Sequence, residues 1–283
     1  MNDTLELLEP EAVPPTPCLG VFDSGVGGLS ILRALRERLP DAPLIYVGDV
    51  AHAPYGDRST AHVIERSVQI VEWLVARGAT MIVVACNTAT VLAIEALRAR
   101  WPKLVFVGVE PGVKPAAARS RTRRIAVLAT AATANSERLR HLIARYAEDA
   151  HVHVQPCPGL ADAIEGGELE GPALLAVLKP YCAAIRAANV DTVVLGCTHY
   201  PFVEASIREL LGAEITVIDT ATAIAERSAS LWEQSPPVFA ASPAARVLST
   251  GATATMQLLL GQCPRLDHIG VEVLTIIPST LPG

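Results

Sequence analysis

Runs of five or six apolar, often β-branched residues alternate along this chain with longer stretches whose apolar positions recur every three or four residues. The short runs predict strands at Cys18–Phe22, Pro43–Gly48, Thr80–Ala85, Leu104–Val109, Arg124–Ala129, His151–Gln155, Asp191–Gly196 and Glu214–Ile218. The longer stretches, Leu29–Leu39, Ala61–Arg77, Ala89–Arg100, Ser136–Tyr146 and Ala173–Ala188, predict amphipathic helices. The strands are continuously apolar rather than alternating, which implies burial on both faces, as in a parallel sheet covered by helices. The class is therefore α/β, with doubly wound topology.

The strand tips fall into two parallel series. The first four lie at Asp23, Asp49, Cys86 and Glu110, spaced by 26, 37 and 24 residues; the second four lie at Thr130, Cys157, Cys197 and Asp219, spaced by 27, 40 and 22. Each third strand ends in a cysteine with a threonine close behind and a helix after it, VVACNTAT at 83–90 and VVLGCTHY at 193–200. This reads as two copies of one unit, with the crossover near Pro111–Lys114. Past Asp219 come a helix, a Ser/Pro/Ala linker at Ser235–Ala244, a strand at Arg246–Thr250, a helix and a terminal strand at Val271–Ile276. The expected organisation is a flexible extension at 1–17, a first α/β lobe from 18–110 plus 222–283, and a second from 111–221.

Composition agrees with two lobes. The 283 residues exceed one domain of about 150, and 51% hydrophobic against 18% charged residues suits a large core rather than disorder. With 23 basic and 29 acidic residues the net charge is −6, so no broad nucleic-acid surface is expected. The basic patch Arg119, Arg121, Arg123, Arg124 reads as a solvated helix or turn. Lysine is scarce: only Lys103, Lys114 and Lys179 could supply the amine of a Schiff-base or pyridoxal-phosphate enzyme. No apolar run approaches the ~20 residues that span a bilayer, and residues 1–17 lack the basic and apolar regions of a secretory signal. A cytoplasmic, reducing setting follows as an expectation, with the six cysteines as free thiols; they contain no CxxC pair or zinc-finger spacing.

Most free cysteines are buried packing residues. Cys86 and Cys197 stand apart because ligands bind at the carboxyl ends of doubly wound strands, and these two occupy matching ends. A helix after each would favour a thiolate through its N-terminal dipole. If the lobes face one another across a cleft, one sulfur can remove a proton from a carbon while the other returns one to the opposite face. Charge developing on the substrate then needs hydrogen-bond donors rather than a cofactor, and Asn87-Thr88 and Thr198-His199 lie beside the thiols.

Around these, Phe22–Gly28 is a strand, a glycine-rich turn and a helix start without a dinucleotide or P-loop pattern, still suited to a small carboxylate. Asp23 in it is a helix cap or an acid/base partner. The loop in YVGDVAHAPYG carries His52, Pro54 and Tyr55 and is an ordinary βα loop or a substrate contact. Thr130 and Thr133 cap a helix or bind an anion. Glu165 on its own reads as a solvated helix charge. His199 is structural, or orients or protonates a neighbour; a metal at Cys197 and His199 would need remote ligands, and no metal is expected.

The segments FDSGVGGLS, YVGDVAHAPYG, VACNTAT, VGVEPGVKPA, VLATAATANS and LGCTHYP occur in the order found in glutamate racemases, and the chain resembles that family over about residues 18 to 220. The resemblance implies two pseudosymmetric α/β lobes with the active site in the cleft between them. It also implies cofactor-independent, two-thiol racemisation of glutamate, whose D form enters peptidoglycan. By the same resemblance Cys86 and Cys197 are the catalytic acid/bases, with Asp23, His199 and Glu165 assisting. Asp23, Ser24, Tyr55, Gly56, Asn87, Thr88, Thr198 and His199 line the substrate pocket, with Thr130 and Thr133 nearby. Asp162 departs from the apolar residue usual beside that glutamate. Small-molecule glutamate is the expected partner, with no nucleic acid and no membrane, and a homodimer is left open. An aspartate racemase shares the CNT and GCT cysteines, but THYP and HAPYG resemble the glutamate group. A dithiol oxidoreductase would want neighbouring cysteines, and a ligand-binding protein would not explain paired thiols.

Overall fold

The computed structural model describes residues 16–234 and 245–276. Residues 1–15 of the N-terminal extension and the Ser235–Ala244 linker lie outside the described residues, as do 277–283. The first half runs β1 (Cys18–Asp23), α1 (Leu29–Arg38), β2 (Leu44–Gly48), α2 (Thr60–Val75), β3 (Ala79–Val84), α3 (Asn87–Arg100) and β4 (Val105–Gly108). Next, α4 (Val113–Arg119) leads into β5 (Arg124–Ala129), α5 (Ala131–Ala134), α6 (Glu137–Tyr146), β6 (His151–Pro156), α7 (Leu160–Glu165), α8 (Gly171–Ala187), β7 (Thr192–Leu195), α9 (Glu204–Leu211) and β8 (Thr216–Ile218). The chain continues through α10 (Ala221–Trp232), β9 (Ala245–Ser249), α11 (Ala254–Leu260) and β10 (Val271–Val273).

Two sheets result, both parallel throughout: β10-β9-β2-β1-β3-β4 and β6-β5-β7-β8. The spacing repeat is thus a topological repeat, because β2-β1-β3-β4 and β6-β5-β7-β8 share one order. Both sheets are covered on two faces. Along β1, Leu19 and Val21 enter a core shared with α1, α10 and α11, while Cys18 and Phe22 enter one shared with α2 and α3. Along β5, Ala126 and Leu128 join the first of these cores, and Ile125, Val127 and Ala129 pack towards α4 and α6. One apolar core therefore runs through both sheets. It fixes their strand ends against each other, and packing of this kind rather than helix propensity stabilises such short helices.

Four local differences from the sequence pattern have physical causes. β6 is an edge strand, exposed or half-buried at every position, and its His151, His153 and Gln155 alternate with apolar residues instead of being buried on both faces. The terminal strand stops at Val273, where its pairing with β9 ends. α3 starts at Asn87, two residues before the periodic pattern, since Cys86 is extended and its sulfur caps the helix by accepting from Ala89 N–H at 3.4 Å. The helix expected directly after Cys197 is absent: a 3-10 turn, Tyr200–Val203, intervenes before α9. Pro201 has no N–H to reach back to the Cys197 carbonyl, so Tyr200 N–H takes that acceptor at 3.2 Å and the turn tightens. Cys86 thus has a helix N-terminus and Cys197 does not.

Candidate active site

The carboxyl ends of the two sheets meet at a small enclosed cavity. Ser24, Pro54, Tyr55, Gly56, Cys86, Asn87 and Thr88 line it from the first half, and Thr130, Ala161, Cys197, Thr198 and His199 from the second. Its volume is about 10 Å³, room for roughly one water. Pro54, Gly56, Thr130 and Ala161 also border a neighbouring depression of about 20 Å³, which adds Asp57, Cys157 and Asp162. Both third-strand cysteines are therefore brought to one cavity from opposite sheets, and each is buried.

The two sulfurs have different surroundings. Cys86 Sγ lies 3.7 Å from Ser24 Oγ, which is itself 3.4 Å from Asp23 Oδ1. Burial pushes the Cys86 thiol well up, the Asp23 charge adds to this, and the Ala89 and Ser24 donors oppose it. Asp23 is fully buried and accepts the Gly28 N–H at 2.6 Å, so it orders the glycine turn ahead of α1 as well as approaching Cys86. Burial raises its carboxyl above the usual range; the Glu165 charge acts in the same sense, and His199 in the opposite one.

Cys197 Sγ instead lies 3.6 Å from His199 Nδ1, and His199 Nε2 is 2.6 Å from Glu165 Oε1. Burial disfavours the imidazolium, but the Cys197 sulfur and the Glu165 carboxylate outweigh it and hold His199 well above the ordinary histidine value. The result is a Cys–His–Glu chain in which the surroundings of His199 favour its imidazolium form beside the sulfur. The 3-10 turn makes it: by tightening the chain after Cys197 it puts His199 between the sulfur and the end of α7.

Three polar contacts join the two sheets here. Glu165 Oε1 accepts the Val26 N–H at 2.8 Å, Ser30 Oγ donates to the Thr198 carbonyl at 3.1 Å, and the Thr88 and Thr130 hydroxyls are 3.0 Å apart. Glu165 is largely buried rather than a solvated helix charge, and it stands behind His199 rather than in the cavity wall. Asp23 and Thr133 also lie one residue back from the cavity, behind Ser24 and Thr130; the Thr130 hydroxyl caps α5 by accepting from Thr133 N–H and still faces the cavity. Asp162 is exposed.

Some residues around the site carry little or no signal of their role in the sequence. Ala161 has no chemistry to mark it, and Val26 contributes a main-chain N–H. Asp49, at the tip of β2, is fully buried beneath Tyr55 and bonded to Arg66 of α2 and to Thr250. Its position at a strand tip could have marked it; its partners, 17 and 201 residues away, could not. Among the described residues no group of three or more His, Cys, Asp or Glu side chains is placed to hold a metal ion, and no helix is long and apolar enough to cross a membrane.

Comparison with known proteins gives a consistent picture. Residues 29–227 match the model of the family described as Asp/Glu/Hydantoin racemase. The glutamate racemase of Pseudomonas aeruginosa is 50% identical over 209 residues, 74% of this chain and 79% of its own. That of Ectopseudomonas mendocina is 46% identical over 250 residues, 86% of this chain and 95% of its own. Among solved structures, Escherichia coli glutamate racemase in complex with L-glutamate and the activator UDP-MurNAc-Ala superposes with a TM-score of 0.82 at 31% identity, covering 93% of this chain and 100% of that one. The Francisella tularensis glutamate racemase with D-glutamate gives 0.79 at 26% identity, covering 93% and 99%.

Proposed function

From the premise that this chain belongs to the Asp/Glu/hydantoin racemase family, we propose that it interconverts L- and D-glutamate without a cofactor, using Cys86 and Cys197 as opposed acid and base. The observation that carries the reading is the pair of sulfurs lining one cavity from equivalent strand ends of two sheets that share one four-strand order. The glutamate assignment is supported by relatives at 46–50% identity and by neighbours bound to L- or D-glutamate.

In one direction the Cys197 thiolate, with the His199 imidazolium as its counterion, takes the α-proton of the amino acid. The Cys86 thiol, kept protonated by burial and by Asp23, delivers a proton to the other face of the planar carbanion. In the other direction the sulfurs exchange roles. The α-carbon is a very weak acid, so the charge passing onto the substrate carboxylate must be met by donors already in place. Ser24, Asn87, Thr88, Thr130 and Thr198 supply hydroxyl and amide groups around the cavity. Glu165 keeps His199 charged without touching the reacting carbon, and Asp23, from behind Ser24, favours the protonated thiol of Cys86.

The closed cavity is smaller than any amino acid, so substrate enters an opened form and closure over it excludes water. D-glutamate made this way would supply peptidoglycan synthesis. The test is incubation with L-glutamate in heavy water without added cofactor, following optical rotation and deuterium at the α-carbon. Loss of rotation with deuterium uptake is expected. A folded, reduced sample that exchanges no α-proton of glutamate overturns the reading. Exchange confined to aspartate moves it to the aspartate branch of the same family.

A further inference from the structure

Asp49 occupies the tip of β2 next to Asp23 at the tip of β1, and the two strands are joined there by the Asp49 N–H donating to the Asp23 carbonyl at 3.0 Å. A buried carboxylate one strand from the reacting centre is a candidate acid or base. Its hydrogen bonds rule that out. Oδ1 accepts from Arg66 Nη2 at 2.8 Å and from Thr250 Oγ1 at 2.8 Å. Oδ2 accepts from Arg66 Nε at 3.0 Å and from the Tyr55 hydroxyl at 2.7 Å. A carboxylate has about four lone-pair sites, and here four donors occupy them. Burial alone would raise its pKa, but the Arg66, Tyr55 and Thr250 hydrogen bonds and the Arg66 charge bring it below the usual range, so Asp49 stays ionised and has nothing left to offer a substrate.

What the cluster holds is the wall of the cavity. Tyr55 is fully buried, borders the cavity between Pro54 and Gly56, and turns its hydroxyl away from it onto Asp49. Thr250 follows β9, the strand that the chain adds to the first sheet after completing the second. It donates to Asp49 and accepts the Ala51 N–H at 3.2 Å, bracing the start of the same loop. Residues some 200 positions apart therefore converge on the carboxylate that holds the Tyr55 phenol.

We propose that Asp49, Arg66 and Thr250 are positioning residues which fix the Tyr55–Gly56 wall of the substrate cavity, so that the C-terminal part of the chain takes part in substrate binding without touching substrate. This rests on the glutamate reading above for its kinetic consequence. A wall that meets substrate and transition state alike changes KM while leaving kcat in place.

Thr250→Val removes the hydroxyl's two hydrogen bonds, to Asp49 and from Ala51 N–H, at nearly constant volume and keeps the Asp49–Arg66 ion pair, so it is the primary variant; Asp49→Asn leaves Arg66 buried and poorly paired, and its folding is at risk. Thr250→Val is expected to raise KM for glutamate about three- to tenfold, the worth of the hydrogen bond that holds Asp49 under Tyr55, with kcat held and Thr250→Ser restoring KM. In parallel, 19F NMR of 3-fluorotyrosine-labelled protein reads the phenol directly, the Tyr55 line being assigned by its loss in Tyr55→Phe. That line is expected to shift and broaden in Thr250→Val while the other tyrosines stay put. A Tyr55 line that does not move overturns the proposal whether or not the wild type turns over glutamate. A line that moves while KM keeps its wild-type value also overturns it. A wild type without turnover but with a moved line overturns the glutamate reading and leaves the Asp49–Tyr55 brace supported.

Discussion

Glu165 Oε1 stands 2.6 Å from His199 Nε2 and at the same time accepts the Val26 N–H from the other sheet's glycine turn. One oxygen therefore fixes the charge of the histidine and the approach of the two halves. Glu165→Gln keeps the shape and removes the charge. The carboxylate favours the imidazolium, so its loss lowers the His199 pKa towards the ordinary value, and the alkaline limb of the kcat/KM profile moves to lower pH. Activity falls roughly ten- to hundredfold. Titration of the His199 ring protons by NMR, beside the pH profile, checks this; an unmoved limb refutes the Cys–His–Glu chain.

The glycine turn is shaped by that approach. A methyl group on Gly25 would overlap the Glu165 carboxylate, and one on Gly27 would overlap the His199 ring. Gly25→Ala and Gly27→Ala are each expected to cost about 1–3 kcal/mol of stability and a larger share of activity, since the Cys–His–Glu chain must shift to make room. Thermal unfolding and steady-state kinetics on the same samples separate the two effects. Full activity in either variant would show that the turn tolerates a side chain and that the contact is not tight.

Cys86→Ala and Cys197→Ala each remove one of the two sulfurs while leaving a small apolar group in a buried position. Turnover is expected to drop by at least about 10³ in each, the upper range of a general acid–base contribution, with the fold retained. Circular dichroism and racemisation assays decide it. Full activity in either single variant sinks the two-base assignment.

Asp191, ahead of β7, accepts from Ser120 Oγ at 2.6 Å and from the Arg121 and Thr122 N–H groups at 2.8 Å each. Burial raises its carboxyl, but the hydrogen bonds from Ser120, Thr122 and Thr192 together outweigh it and hold it well below the usual range. A depressed folded-state pKa contributes stability that is present above the unfolded value, near 3.9, and is lost as pH falls through the folded one. Asp191→Asn should therefore be less stable than wild type at neutral pH, with the gap closing below about pH 4. Urea unfolding across that range measures it; a gap that persists unchanged at low pH assigns the effect to something other than the charge.

The periodicity of the chain and the spacing of its strand tips determined the α/β class, the parallel strands, the repeat, and Cys86 and Cys197 as equivalent positions. These are local or additive properties: strand burial, helical spacing and loop length are written in neighbouring residues. Tertiary structure decided which environment each thiol received. Pro201 denies Cys197 a regular helix and so gives it His199, whereas Cys86 caps α3 and lies near Asp23. It also took Glu165 from a nominal surface charge to a clasp on Val26 N–H 139 residues away, and Asp49 from a strand-tip acid to a saturated brace beneath Tyr55. Such roles depend on the donors and charges that folding brings within about 3 Å, and those partners are distant in the chain, so residue type and spacing alone do not specify them.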